Sequence, residues 1–340
     1  MSHPVVPTRK SVSSAPEVEI LLATFNGDRF LNEQIDSILA QDYKNIRISA
    51  RDDGSSDNTV AILNQYAFRY PDRFRILPSN RGTGNAKFNF LRLIEASTAD
   101  YICFSDQDDV WLPDKVSKTQ IEMQRLESLW GKDAPLLVFT DLKVVDDKLT
   151  ITQESFWAHM RIDPGSIDNF ALMLVQSVVT GCTAMVNRGL LDLSLQLPEE
   201  ASMHDRWVAL LASAMGKSGA VKTPTVLYRQ HDQNVLGAAA PTRTRSLLQS
   251  LWRPAVLQKH AAQWMASQRQ AVALFRLHAP ELTAEKRKLL EAYLRCERSR
   301  NPFVRIALFF RYGFYYAGIM PNLLTILHLC SSRRDEVKAL

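Results

Sequence analysis

Tyr101-Ile102-Cys103-Phe104-Ser105-Asp106-Gln107-Asp108-Asp109-Val110-Trp111 is the stretch on which the fold of this 340-residue chain turns. Mostly apolar residues rich in β-formers run into three carboxylates and then a Trp, the pattern of a buried strand ending in an acidic loop. A buried parallel strand aims its carboxyl end at the crevice where open α/β sheets bind ligands. Asp106 and Asp108 are two residues apart, so in an extended loop both side chains reach one point. Two hard oxygen donors converging there suit Mg2+ or Mn2+. An isolated Asp-x-Asp is more often a solvated acidic turn, so the flanking sequence has to decide.

Upstream, Glu19 to Thr24 is an apolar run of strand length, followed by the turn Phe25-Asn26-Gly27-Asp28. Phe30, Leu31, Ile35, Ile38 and Leu39 then recur at helical spacing and predict a helix over 29–41. A second strand over 45–50 ends at Arg51-Asp52-Asp53-Gly54-Ser55-Ser56-Asp57, where Ser56 or Asp57 can cap a helix carrying Val60, Leu63, Tyr66 and Ala67. Phe74 to Leu77 is a third strand, residues 80–85 are a loop, and Phe88, Leu91, Leu93 and Ile94 mark another helix before the 101–105 strand. This fourfold strand–helix alternation predicts an α/β fold, a mostly parallel sheet flanked by helices. Three strands end in polar loops that open on one edge of that sheet, and chance would scatter them. A dinucleotide-binding fold would want Gly-x-Gly-x-x-Gly after the first strand, where this chain has Thr24-Phe25-Asn26-Gly27-Asp28.

The segments LLATFNG (21–27), RDDGSSDNT (51–59), NRGTGNAKFNF (80–90) and CFSDQDDVW (103–111), in this order, resemble the inverting glycosyltransferases of family 2. The resemblance extends over roughly residues 17–237, and DQDDVW is similar to its rhamnosyltransferase-like branch. It implies the GT-A fold and a nucleotide-sugar donor. Asp106 and Asp108 are then metal ligands, with Asp106 also on the donor side. Thr24, Asn26, Asp52 and Asp53 hold the nucleotide, and a carboxylate accepting from a pyrimidine N3–H is the natural task of Asp52 or Asp53, with the choice between them open. Asp109 either backs the first two acids or caps the helix near Pro113.

Downstream, 135–141 and 181–186 read as strands separated by an irregular stretch over 143–165, whose Phe156 and Trp157 fit core packing better than an acceptor loop. Asp205 opens a helix, where a carboxylate complements the helix dipole. In the resembled family an Asp at this place, with a Trp two positions on, is the catalytic base, and Trp207 is either acceptor wall or core. A strand over 221–228 ends in YRQHDQNVLG (228–237). The same branch closes such a segment over the diphosphate, making His231 a further metal ligand and Arg229 a phosphate partner.

Composition bounds the rest. A formal net charge of +5, with no cluster of Lys/Arg and aromatics in the first 240 residues, argues against nucleic acid as a partner. Cys103, Cys182, Cys296 and Cys330 are too scattered for a zinc site or disulfide framework and fit a reducing cytoplasm. Residues 1–16 read as a disordered lead-in, 17–238 as the catalytic domain and 239–340 as a helical, basic and aromatic C-terminal extension. Arg243, Arg245, Arg253, Lys259 and Arg269 punctuate its first part. The run over 303–330 is interrupted by Arg305, Arg311 and Pro321, which favours an in-plane membrane-surface segment over a homodimer or interdomain interface or a span.

The expected activity is transfer of a sugar, L-rhamnose from dTDP-L-rhamnose by the branch resemblance, with UDP-hexoses as the alternative donor. The expected acceptor is a cell-surface glycan on a polyprenyl diphosphate, met at the inner face of the cytoplasmic membrane. Two other classes compete. A nucleotidyltransferase would want a basic, Gly-rich phosphate loop after the first strand. A silent membrane-docked scaffold has no use for Asp106, Asp108 and Asp205 together.

Overall fold

The computed structural model describes residues 15–79, 82–232 and 254–331. The expected lead-in up to residue 14, the Asn80-Arg81 pair, Asn234 and Gly237 of the 228–237 segment, Arg243, Arg245, Arg253 and the 238/239 boundary lie outside the described residues.

The chain runs through β1 (Val18–Thr24), α1 (Leu31–Leu39), β2 (Ile46–Asp52), α2 (Thr59–Arg69), β3 (Phe74–Ile76), α3 (Ala86–Glu95) and β4 (Tyr101–Ser105). After β5 (Val110–Trp111) come α4 (Lys115–Trp130), β6 (Leu136–Val145), β7 (Ile151–Gln153), α5 (Phe156–Met160) and α6 (Phe170–Val175). Then follow β8 (Met185–Asn187), α7 (Arg188–Ser194), α8 (His204–Met215) and β9 (Lys217–Arg229). Four further helices complete the described chain: α9 (Pro254–His278), α10 (Ala284–Arg298), α11 (Pro302–Tyr312) and α12 (Ile319–Ser331).

The strands form one sheet in the order β3-β2-β1-β4-β8-β6-β9-β5, with β7 beside β6. β1, β2, β3 and β4 pair in parallel, and β6 pairs in parallel with β9. β8 is antiparallel to both β4 and β6, so all six of these strands run one way. β5, β7 and β8 run against them, which makes the sheet mixed around a parallel majority. The C-terminal ends of β1, β2, β4 and β9 therefore open on one edge.

Residue alternation explains the layers. In β1, Val18, Ile20 and Leu22 join Leu31, Ile35 and Ile38 of α1 on one face, while Leu21 and Ala23 join Phe90, Leu93 and Ile94 of α3 on the other. β4 divides in the same way, Tyr101 and Cys103 against Ile102 and Phe104. Each large apolar side chain taken from water contributes roughly 1.5–3 kcal/mol. A one-residue slip of either strand would exchange its two faces.

Two expectations change. The 143–165 stretch is ordered by the end of β6, by β7, by α5 and by a 3-10 turn over Pro164–Asp168. The expected strand over 181–186 is a 3-10 turn, Gly181–Thr183, followed by the short β8. The turn closes through Thr183 N–H to the Thr180 carbonyl and Ala184 N–H to the Gly181 carbonyl, both at 3.0 Å, and the Gly181 N–H meets Asp205 at 2.9 Å. Trp207, open between acceptor wall and core in the sequence, is buried in the core, and Trp157 is buried as expected.

The C-terminal helices share a core with the sheet domain. Trp264, Ala271 and Leu274 of α9, Leu290 and Tyr293 of α10 and Phe309 of α11 belong to the cluster that contains Trp207, Val208 and Leu211 of α8. Among the described residues, no helix is long and apolar enough to cross a membrane.

Candidate active site

The loops after β1 and β2 are laced together by their own polar side chains. Asp52 accepts four hydrogen bonds: Thr24 Oγ1 at 3.0 Å and Ser55 Oγ at 2.5 Å on Oδ1, and the Gly54 and Ser55 N–H groups at 2.9 and 2.8 Å on Oδ2. Asp53 accepts three, from Arg51 at 3.2 Å and the Thr83 N–H at 2.5 Å on Oδ1, and from Thr83 Oγ1 at 3.0 Å on Oδ2. Asn26 takes the left-handed conformation (φ 47°), and its Oδ1 receives the Ser56 N–H at 2.8 Å. Thr24, Asn26, Asp52 and Asp53 are thus brought together on the sheet edge. Asp57 meets the start of α2 through the Thr59 N–H, at 3.0 Å.

The loop after β4 is different. Among the described residues no donor reaches the Asp106 carboxylate, and burial, with Asp108 and Asp205 nearby, pushes its pKa up to about 7. Asp109 is fully buried; its Oδ1 accepts the Arg229 N–H at 3.2 Å, and among the described residues its Oδ2 has no hydrogen-bond partner. Burial, then the charges of Asp108 and Asp106, hold its pKa well above the carboxylate range. Asp109 therefore backs the loop from inside and does not cap α4, whose N-cap is Asp114. Ligand atoms of Asp106, Asp109 and Cys182 lie within 4.8 Å of one another. Burial pushes the Cys182 thiol well up, so it stays protonated and is a poor partner for a hard cation.

Asp108 pairs with His231 instead, Oδ2 to Nε2 at 2.9 Å, and the His231 ring lies 5.0 Å from that of Phe30. Of the three expected ligands, Asp108 and His231 are paired with each other, while Asp106 stands beside the backing Asp109. The crowded carboxylates, with Asp106 unpartnered among the described residues and an imidazole brought in from the end of β9, make a donor set that fits Mg2+ or Mn2+.

Arg229 does not reach this cleft as a phosphate partner. Its guanidinium is 1% exposed and donates to the carbonyls of Asp108 at 2.8 Å and Asp147 at 2.7 Å, and to Glu33. It also lies over the Phe30 ring, 4.3 Å from its centroid. Arg229 is a buried post joining the end of β9 to α1 and the acidic loop.

Asp205 lies in the first turn of α8. Its Oδ2 accepts the Gly181 N–H at 2.9 Å and its Oδ1 the Arg206 N–H at 2.7 Å. A Cβ at Gly181 would come within 3.2 Å of that Oδ2, so the glycine lets the turn approach. Each Asp205 oxygen keeps a lone pair, and its charge is felt at Asp106. Behind it His204 is buried, with its ring 3.8 Å from that of Phe90, and burial lowers its pKa to about 4.

Sequence reasoning passed over Gly181 and Gln107. The Gln107 amide accepts the Phe25 N–H at 2.7 Å and donates to the Phe25 carbonyl at 2.9 Å. The signal was present in the alternation of Asp106-Gln107-Asp108, which sends the middle side chain away from its neighbours.

A parallel-majority sheet with a nucleotide-type loop lattice, an acidic loop and a helix-borne carboxylate at one edge defines a GT-A glycosyltransferase. Residues 19–193 match the family described as Glycosyl transferase family 2, and the chain belongs to that family. The chain is 30% identical over 228 residues to the dTDP-rhamnosyl transferase RfbG of Shigella flexneri, covering 64% of this chain and 74% of that protein. Its fold is similar to S. aureus TarS 1-349 in complex with UDP-GlcNAc (TM-score 0.52, 12% identity, 88% of each chain). It is also similar to the mannosyltransferase PcManGT from Pyrobaculum calidifontis in complex with GDP-Man and Mn2+ (TM-score 0.53, 16% identity, 93% of this chain and 79% of that one). The protein is a glycosyltransferase.

Proposed function

We propose that this enzyme transfers L-rhamnose from dTDP-L-rhamnose, with inversion, to a hydroxyl of a lipid-linked cell-surface glycan. The observation that carries the reaction type is Asp205, held by two backbone N–H groups at the start of α8 with its charge felt at Asp106. The donor reading rests on the similarity to RfbG.

Asp53 is the better reader of the thymine N3–H. Asp52 is saturated by four hydrogen bonds, whereas Asp53 Oδ2 accepts only one. Thr24 and Asn26 act by holding the loops that carry the base. The acceptor hydroxyl gives its proton to Asp205 as its oxygen attacks the anomeric carbon. The bond from that carbon to the diphosphate breaks, and the nucleoside diphosphate leaves from the opposite face. Asp106 and Asp108, with His231, would hold a Mg2+ or Mn2+ whose charge stabilises the departing diphosphate.

The acceptor's lipid brings the enzyme to the cytoplasmic face of the membrane. Phe303 and Phe310 of α11 and Ile319, Leu323 and Leu327 of α12 are exposed. From residue 298 to 331 the sequence has no Asp or Glu, while Arg298, Arg300 and Arg311 are exposed. Apolar insertion beside fixed positive charge matches an anionic bilayer surface. Wild type should sediment with vesicles containing phosphatidylglycerol. A Phe303→Ser/Phe310→Ser variant should do so several-fold less, and equal sedimentation of the two would remove the docking face.

Asp205→Asn tests the chemistry. Turnover of dTDP-L-rhamnose should fall about 10²–10⁴-fold with donor affinity kept. Unchanged turnover would remove Asp205 as the base, and turnover of UDP-hexoses in place of dTDP-L-rhamnose would overturn the donor.

A further inference from the structure

The residue between the two metal-loop aspartates ties the two ends of the cleft together. Gln107 does not turn toward Asp106, Asp108 or His231. Its amide closes on the backbone of Phe25 with both of its polar atoms, at 2.7 and 2.9 Å, as a neighbouring β-strand would. The sequence accommodates this at a second position. A Cβ at Gly27 would lie 2.3 Å from Gln107 Oε1 and 2.4 Å from its Cδ, so the amide occupies space that only a glycine leaves. Gly27 is required here for room and not for an unusual φ.

Each loop is also secured on its own. The 25–28 turn is held to the β2 loop by Asn26 N–H to Ser55 Oγ at 2.8 Å, Gly27 N–H to Thr59 Oγ1 at 2.8 Å and Asp28 N–H to Asp57 Oδ2 at 3.0 Å. The acidic loop is held from behind by Arg229, through the Asp108 carbonyl and the Asp109 carboxylate. Removing Gln107 would therefore leave both loops folded and free only their separation.

We propose that Gln107 is a positioning residue that sets the distance between the nucleoside end and the diphosphate end of the donor site, with Gly27 as its obligatory partner. The proposal rests on the reading of the 24–27 and 52–53 loops as the nucleoside side and of the 106–108 loop as the diphosphate side. A ligand that touches both ends gains from their fixed spacing, as two linked binding events do. A ligand lacking the second phosphate gains little. Gln107 thereby favours nucleoside diphosphates over monophosphates without touching either.

The test compares wild type, Gln107→Met (equal length, no amide), Gly27→Ala and the double variant, by calorimetry with dTDP and with dTMP in the presence of Mn2+. Gln107→Met should weaken dTDP about tenfold, the order expected for two exposed hydrogen bonds, and weaken dTMP much less. The donor KM should rise with it while kcat at saturation holds, and the thermal midpoint should stay in place. Gly27→Ala should have the same effect, and the double variant no larger one, because both changes remove one clamp. Equal weakening of dTDP and dTMP, or single effects that multiply in the double variant, would overturn the proposal. Hydrogen exchange at the Phe25 amide decides the clamp without any ligand: it should quicken in Gln107→Met, and an unchanged rate overturns the clamp. If wild type bound no thymidine nucleotide while Phe25 responded as expected, the donor reading would fall, the spacing role with it, and the clamp would stand.

Discussion

Strands β2 and β4 flank β1 on either side, run in the same direction and each end in aspartates at the same edge. After β2, Asp52 and Asp53 together receive seven hydrogen bonds, four and three, from neighbouring protein groups. After β4, Asp106 receives none among the described residues, and one oxygen of buried Asp109 is bare. Acidity at a strand end is therefore not one property. Where short donors such as Ser55 and Thr83 surround the carboxylate, it builds the loop. Where carboxylates face each other, the loop stores repulsion that only a cation or a proton relieves.

The largest expected effect breaks the second loop. In Asp106→Ala, metal-dependent dTDP binding should be lost and turnover should fall about 10³-fold, the scale of a Lewis acid worth several kcal/mol. The urea midpoint should stay or rise, because a crowded, unpartnered charge is removed. Metal-dependent binding that survived the change would move the ligand role to Asp109.

Asp52→Ala attacks the first loop and should do the reverse. Four buried or part-buried acceptor contacts disappear, which should cost about 2–4 kcal/mol in urea unfolding. A variant as stable as wild type would show that the lattice of that loop is decoration.

The smallest effect sharpens the contrast with a buried base that is kept neutral. Among the described residues His204 has no hydrogen-bond partner at either ring nitrogen, and its pKa is lowered to about 4 from 6.5. The unfolded chain binds a proton there first, so the stability this group contributes is full above pH 6.5 and is lost as pH falls toward 4. The slope is at most about 1.4 kcal/mol per pH unit. Urea midpoints at pH 7 and pH 5 should lie closer together in His204→Phe than in wild type. Equal gaps would sink this account.

Much of this was legible in the chain because it is local. Strand–helix alternation, the faces of β1 and the three polar strand ends all follow from residue spacing within a few turns. The aspartates were found for the same reason, since their loops immediately follow apolar runs. What escaped depends on partners far away in sequence. Arg229 resembles a phosphate ligand in the sequence, but in the fold its guanidinium meets Glu33, 196 residues away, and the carbonyls of Asp108 and Asp147. Gln107 looks like a spacer until Phe25, 82 residues away, meets it. Gly181 reads as part of a strand because its sequence cannot tell that an N–H will be claimed by a carboxylate on α8.

The shared core has a mechanical consequence. Phe309 of α11 packs on Trp264 of α9, and α9 ends at His278, whose ring lies 6.3 Å from that of Trp207. Trp207 is two residues from Asp205 on the same helix. The aromatic residues of α11 and Asp205 are thus joined by packed side chains and helix. If α11 and α12 rest on a bilayer, Asp205 works at a fixed height above it, and the enzyme would select acceptors by how far their hydroxyl stands from the lipid as well as by its chemistry.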